Sequence, residues 1–223
     1  MSASTDNLHK KILLSTIFAV AMAYLESAVV VYLREIYYPS GFHFPLSRID
    51  RPIMLTEIGR EAATIVMLYA YARTIGRNRR ETFAYFAMNF GIWDIWYYLW
   101  LKILINWPVS LMEWDVLFLI PVPWFGPVLA PVLVSSALIV CACIVLVLEN
   151  RGKPLQMRLV DWLLVSAAGL LIIWSFIPEL KSVQEALPPQ GYAWWVFALG
   201  LCGGLLVFFM RVMRGRTAPH HKI

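Results

Sequence analysis

The amino-acid sequence predicts an all-α fold, a polytopic membrane bundle of about six transmembrane helices that forms one domain over residues 1–223. Three observations predict it. Hydrophobic residues make up 60% of the chain and charged residues 15%, whereas an ordinary soluble domain carries about 25% charged residues. The apolar residues gather in six stretches of the length needed to cross a bilayer, about 20 residues each. The basic residues fall mainly in alternate connections between these stretches, as in membrane proteins.

Each predicted span is an apolar stretch with polar, glycine or proline residues at its ends. The spans are residues 11–38, 52–75, 80–106, 127–149, 157–177 and 192–213. The basic residues His9, Lys10 and Lys11 precede the apolar run of the first span, as basic residues do in a signal peptide. This apolar run continues to Tyr38, however, and is longer than that of a signal peptide. The second span begins at Pro52, a residue favoured at the first helical position. We therefore interpret all six as membrane helices.

The positions of arginine and lysine predict the orientation. Basic residues crowd two connections and the C-terminal tail: Arg73, Arg77, Arg79, Arg80, Arg151, Lys153, Arg158, Arg211, Arg214, Arg216 and Lys222. Basic connections stay in the cytoplasm. We therefore predict a multi-pass protein of the plasma (bacterial inner) membrane with both termini cytoplasmic and outer connections at about 39–51, 107–126 and 178–191. Arg48 and Arg51, in the first outer connection, are the exceptions.

The second outer connection has an unusual composition. It is apolar but contains several prolines, which interrupt helices: Pro108, Pro121, Pro123, Pro127 and Pro131. We predict a short amphipathic or re-entrant element at about 109–120, lying at the outer surface as a lid. Glu113 and Asp115 flank Trp114 there, and they are interpreted either as solvated loop or helix-cap residues or as part of a gate over a pocket.

Four acidic residues lie inside the predicted spans: Glu26, Glu57, Glu61 and Asp94. A charged side chain near the centre of a membrane helix costs about 2.5–3.5 kcal/mol, so such residues tend to face a protein interior or a wet cavity and to have partners. Arg34, Arg60 and Lys102 are the basic residues available to them. Four carboxylates against three cations leave an excess of about one negative charge.

Helical spacing predicts that these residues share one pocket. Residues three or four apart lie on one helix face, as Glu57, Arg60 and Glu61 do. Alternating span directions place the charges of the first three spans in the outer half of the bilayer. The aromatic residues Trp93, Tyr97 and Tyr98 would form its wall, and Lys102 would lie above Asp94. The alternative interpretation is an ion network that only fixes the helix register.

The sequence lacks the residue patterns of several chemistries. The histidines lie outside the predicted spans, so we predict no haem and no metal site: His9, His43, His220 and His221. A divalent cation on the carboxylates is possible but not favoured, because Arg34 and Arg60 compete for them. No GxSxG, phosphate-loop or HExxH motif is present. The scattered basic residues form no phosphate-binding face, so we predict no nucleic-acid partner.

The sequence leaves three functions open. The first is a pocket for a small cationic or amphiphilic ligand, with acid–base chemistry (isomerisation or rearrangement) on a lipid-like substrate. In it Glu26 or Asp94 would donate or accept the proton, with Glu57 and Glu61 beside them and Arg34 and Arg60 binding anionic groups. The second is a cofactor-free subunit of a larger membrane complex, and the third a proton- or cation-coupled transporter. Membrane lipids are expected partners, as are other membrane subunits or a second copy bound through Gly200–Gly204.

Overall fold

The protein is a bundle of six long helices with one small β-hairpin, as described by a computed structural model for residues 2–43, 46–47, 49–177 and 191–217. The helices are α1 (Ser2–Tyr37), α2 (Arg51–Ile75), α3 (Arg79–Ile105), α4 (Leu129–Asn150), α5 (Leu159–Phe176) and α6 (Trp194–Thr217). The strands are β1 (Trp114–Phe118) and β2 (Trp124–Pro127). Each predicted span falls on one helix. Arg48, the connection over 178–190 and residues 218–223, with His220, His221 and Lys222, lie outside the described residues.

Local sequence explains where the central helix α3 begins and ends. The side chain of Asn78 accepts a hydrogen bond from the backbone N–H of Glu81, which caps the first turn. At the other end Asn106 adopts the left-handed conformation with φ of 53°, a conformation that asparagine tolerates better than most residues. This helix packs against α1, α2 and α4 and therefore forms the centre of the bundle.

Four of the helices are long and apolar enough to cross a membrane: Asn7–Tyr37 within α1, α4, α5, and Trp194–Arg214 within α6. The other two, α2 and α3, contain 25 and 27 residues, about 40 Å at 1.5 Å per residue, so they have the length. They fall short in hydropathy because each carries several charged residues. In both helices the acidic residues at the bundle interior, including Glu57, Glu61 and Asp94, are buried.

Side-chain contacts show that consecutive helices run in opposite directions. The Lys11 ammonium near the start of α1 donates to the carbonyl of Ile75 at the end of α2. Ser135 of α4 contacts Asp94 of α3, and Arg211 near the end of α6 pairs with Asp161 near the start of α5. One end of the bundle therefore carries the short basic turns at 76–78 and 151–158. The opposite end carries the hairpin and the segment that follows α1.

The segment after α3 corrects our expectation of a short amphipathic or re-entrant element at about 109–120. It forms an antiparallel hairpin in which Trp114 pairs with Pro127 and Val116 with Phe125, with an irregularity between Val116 and Phe118. Aromatic and β-branched residues favour strands, and the prolines at 121 and 123 exclude a helix from the turn. Over the described residues, the regular structure is therefore helical except for this two-stranded sheet.

The glycines of α6 pack against α5 within the chain. A Cβ atom at Gly200 would lie 2.8 Å from the carbonyl oxygen of Ala168, and one at Gly204 would lie 3.4 Å from the Cβ of Ala168. Small residues at this spacing let two helices approach closely. The Gly200 face therefore contacts α5 of the same chain. Self-association through Gly200–Gly204 stays a prediction.

Alanine substitution should therefore have opposite effects at Gly200 and Gly203. At Gly200 the added methyl collides with backbone, and overpacking of this kind costs about 1–3 kcal/mol. At Gly203, where nothing lies within 4 Å, alanine should stabilise the helix by up to about 1 kcal/mol. Thermal unfolding of the two variants in detergent measures this, and equal effects would contradict the packing described.

Candidate ligand-binding site

A cavity of about 200 Å³ lies between α1, α2, α3 and the hairpin. Nine of the ten residues proposed from the sequence line it: Glu26, Arg34, Glu57, Arg60, Glu61, Trp93, Asp94, Tyr97 and Tyr98. The wall is completed by Thr64, by described residues between Tyr38 and Ile49, and by residues 115–119 of the hairpin. The helices and the hairpin thus bring the charged residues of three helices around one cavity.

Lys102, the tenth predicted residue, lies apart from the others. It is exposed, and it is not among the residues that line the cavity. It occupies the last turn of α3, where a positive charge interacts favourably with the negative end of the helix dipole. It therefore supplies no charge to the cavity wall.

Arg60 connects the acidic residues of α1 and α2. Its guanidinium forms an ion pair with Glu57, with 2.8 Å between Nη2 and Oε2, and a second ion pair with Glu26. The hydroxyl of Thr64 also donates to Glu26. Glu26 and Glu57 are therefore both neutralised, in part, by the same cation.

Arg34 contacts the hairpin and an aromatic surface. Its Nη2 lies 3.4 Å from Oδ1 of Asp115. Its guanidinium carbon lies 3.7 Å from the ring centroid of Trp107 and 4.5 Å from that of Phe42, distances typical of cation–π interactions. Nη1 is buried and has no hydrogen-bond partner among the residues that the structure describes. A buried unsatisfied donor costs about 1–3 kcal/mol, so this atom is suited to bind an acceptor within the cavity.

Asp115 is the site residue that sequence reasoning missed. We interpreted it as a solvated loop residue or a gate, but it is buried on β1 and lines the cavity. Its apolar neighbours in the sequence, from Val116 to Ile120, were the available signal, because they resemble the surroundings of the four acids within the spans.

The other two acids have neutral partners. Asp94 accepts a hydrogen bond of 2.8 Å from the Ser135 hydroxyl, and Glu61 accepts one of 2.9 Å from the backbone N–H of Leu119. No ion pair to Asp94 or Glu61 is found in the described part of the chain. Five carboxylates and two guanidiniums line the cavity, so three negative charges are in excess when all are ionised. The site is more acidic than the sequence suggested, because Asp115 joins it and Lys102 does not.

Aromatic rings form the wall that was predicted for Trp93, Tyr97 and Tyr98. Trp93 and Tyr97 are stacked with centroids 6.4 Å apart, and Tyr98 packs against Tyr97 at 5.0 Å and against Trp107 at 6.2 Å. The faces of such rings attract cations. Carboxylates and aromatic faces together make the cavity suitable for a positively charged group.

Burial raises the pKa of Asp115 to about 6, although the neighbouring Arg34 guanidinium and hydrogen bonds from Val116 and Tyr98 oppose the increase. A carboxyl whose pKa is raised on folding is held preferentially in its protonated form by the folded state. Its contribution to stability is therefore fully present below its unperturbed pKa of 3.8 and is lost as the pH rises through about 6.

The variant Asp115→Asn should remove this pH dependence. We expect the wild type to lose up to about 3 kcal/mol of stability, relative to the variant, between pH 4 and pH 7. Chemical denaturation of both proteins across that range measures the difference. If the free energies of unfolding of the two proteins depend on pH in the same way, Asp115 does not titrate as described.

Metal coordination by these carboxylates has no geometric support within the described ranges. No group of three histidine, cysteine, aspartate or glutamate side chains lies close enough to hold one ion there. That the protein needs no cofactor stays a prediction.

Comparison with known proteins finds no matching family, no similar curated protein and no similar solved structure. The fold and site alone therefore define the class of protein. It is a helical bundle with four helices long and apolar enough to span a membrane, and it encloses an acidic, aromatic-walled cavity.

Proposed function

We propose that the chain is a six-span protein of the plasma (bacterial inner) membrane, with both termini in the cytoplasm and the acidic cavity toward the outer side. The antiparallel arrangement supports this topology, because it gathers the basic turns at 76–78 and 151–158 at one end of the bundle. α2 and α3 span the membrane with the other four helices, since their acidic residues Glu57, Glu61 and Asp94 are buried at a cavity between helices and need not contact lipid.

Reporter fusions test this topology. A reporter active only in the cytoplasm should be active at either terminus or inserted at Gly152, and inactive when inserted at Val122 in the hairpin turn. A cytoplasmic signal from the hairpin insertion would reverse the orientation.

We further propose that the cavity binds a small cationic or amphiphilic ligand. The observation that carries this proposal is the charge balance of the wall, five carboxylates against two guanidiniums around a single hollow. Asp94 and Glu61 supply two of the three excess charges, because neither is ion-paired among the described residues. The third arises because Glu26 and Glu57 share the single charge of Arg60. The buried Nη1 of Arg34 adds a donor without a partner in the same residue set. Salt bridges that served only to fix the helix register would leave neither an excess of carboxylates nor a guanidinium nitrogen without a partner.

Acid–base chemistry on a lipid-like substrate is the activity that this arrangement supports best. Asp94 is the better candidate for proton donor or acceptor, because among the described residues its side chain hydrogen-bonds only to the Ser135 hydroxyl. Glu26 is held by Arg60 and Thr64 and is therefore less free to exchange a proton. Arg34 would orient an acceptor on the ligand, and Trp93 and Tyr97 would contact its cationic group.

A structural subunit is the second candidate function. The Arg60 ion pairs with Glu26 and Glu57 favour it, since such a network can act as a rigid internal brace. The exposed apolar side chains of α5, including Leu163 and Trp174, would then contact a partner protein as well as lipid.

Binding of tetramethylammonium separates the two candidates. Titration into protein in lipid nanodiscs should change the fluorescence of Trp93 and Trp107. The alcohol 3,3-dimethylbutan-1-ol, which carries three methyl groups on a neutral carbon, should not. Glu61→Gln keeps the acceptor for the Leu119 N–H but removes a charge, so it should weaken binding. Glu35→Gln, on exposed α1 surface, should not. Equal responses to the cation and the alcohol would contradict a cation site and favour the subunit.

A further inference from the structure

A second and larger cavity lies on the other side of Asp94. Its volume is about 670 Å³, and it is lined mainly by α3, α4, α5 and α6. Nearly all of its lining is apolar, as at Ala87, Leu138, Ala142, Ile172, Leu201 and Leu205. The space exists because α4 packs on α3 and α5 packs on α6, while the two helix pairs touch each other only slightly.

The two cavities share a wall, because three residues line both of them: Asp94, Leu117 and Phe118. The Phe118 ring stands at this boundary, 6.2 Å from Trp93 and 5.8 Å from Trp124. Ser135, which donates to Asp94, also lines the apolar cavity. A carboxylate without an ion pair in the described residues thus lies where a polar hollow adjoins an apolar one.

We propose that both cavities hold one molecule, a single-chain amphiphile whose cationic head lies beside Asp94 and whose apolar chain fills the larger cavity. This inference rests on the proposed function and names its ligand class. Charge complementarity selects the occupant. An uncharged lipid chain in the larger cavity would leave Asp94 without a counter-charge at the hydrocarbon boundary, which is unfavourable, whereas an attached cationic head supplies that charge.

A chain-length series tests the proposal. Butyl-, hexyl-, octyl- and decyltrimethylammonium are titrated below their micelle concentrations into protein in nanodiscs, and partitioning into empty nanodiscs is subtracted. Burial of each methylene should strengthen binding about fourfold, the equivalent of about 0.8 kcal/mol. Tetramethylammonium provides the reference for the head alone.

Two glycine-to-phenylalanine variants, one as the test and one as its control, show whether the alkyl chain occupies the larger cavity. Gly169 lines the apolar cavity, and a Cβ atom added there would have nothing within 4 Å, so Gly169→Phe should fill the cavity without a backbone clash. Gly203 has the same open surroundings but does not line the cavity, so Gly203→Phe is the control. Gly169→Phe should abolish the gain with chain length and leave tetramethylammonium binding unchanged, while Gly203→Phe should change neither.

The outcomes distinguish this inference from the function on which it rests. Suppose that tetramethylammonium binds but the longer alkyltrimethylammonium ions bind no more tightly, or that both glycine variants behave alike. The proposal of one ligand in both cavities is then wrong, while the proposed cation site stands. If tetramethylammonium itself does not bind, both proposals fail.

Discussion

Replacement of Arg60 by glutamine is expected to lower the free energy of unfolding by about 3–5 kcal/mol, because removal of one partner from a buried ion pair leaves an uncompensated charge. Here a single substitution affects two carboxylates, Glu26 and Glu57, since both pair with the same guanidinium. Both acids are buried. Urea or thermal unfolding of the protein in detergent measures the loss.

Three further variants identify the cause of this loss. Arg60→Lys keeps the charge and should recover part of the stability, while Lys102→Gln removes a charge from the exposed end of α3 and should have little effect. Combining Arg60→Gln with Glu26→Gln and Glu57→Gln should restore stability if unpaired charge is the reason for the loss. An Arg60→Gln protein as stable as the wild type would show that these ion pairs do not hold α1 against α2.

Replacement of Asp94 by asparagine should abolish most ligand binding while the protein remains folded. Asparagine has nearly the same shape, and its side-chain oxygen can still accept the Ser135 hydrogen bond. Loss of a charge that meets an opposite charge in a buried site costs about 2 kcal/mol or more, so tetramethylammonium should bind at least about 30-fold more weakly. The same nanodisc titration measures the effect.

The control for this variant is Ser135→Ala, which removes the hydrogen bond but keeps the carboxylate. It should bind the cation at least as well as the wild type, because the released charge is more available. If Asp94→Asn fails to accumulate while an apolar replacement of the whole charged network restores the protein, the network is architectural and the ligand-binding proposal is wrong.

The arrangement of the charged residues could be predicted largely from the sequence. A carboxylate in an otherwise apolar helix has few favourable positions, so Glu26, Glu57, Glu61 and Asp94 could be expected to face the bundle interior. Helical periodicity then put Arg60 beside two of them. The structure places all five at one cavity.

The remaining features depended on information that hydropathy and periodicity do not carry. Strand pairing in the hairpin joins residues across a proline-containing turn, and its closure over the cavity brings in Asp115. Ser135 carries no charge, so nothing in its sequence neighbourhood distinguishes it from a helix-packing residue, whereas helical spacing places Thr64 on the same face as Glu57, Arg60 and Glu61. Lys102 lies outside the cavity, contrary to the prediction, because a lysine at the end of a helix can extend its ammonium group into polar surroundings at little cost. No energetic penalty therefore directs this side chain toward the bundle interior.

Charge-selective labelling of the cavity tests the central claim most directly. In a background with the three native cysteines replaced by serine, the variant Glu61→Cys is treated with a cationic and an anionic methanethiosulfonate reagent from the outer side. A hollow lined by excess carboxylates concentrates cations, so the cationic reagent should react at least about tenfold faster, and tetramethylammonium should slow it. Leu68→Cys, fully buried on the same helix, should not react. Equal rates for the two reagents, or a Glu61→Cys protein as unreactive as Leu68→Cys, would contradict the existence of a water-accessible acidic cavity.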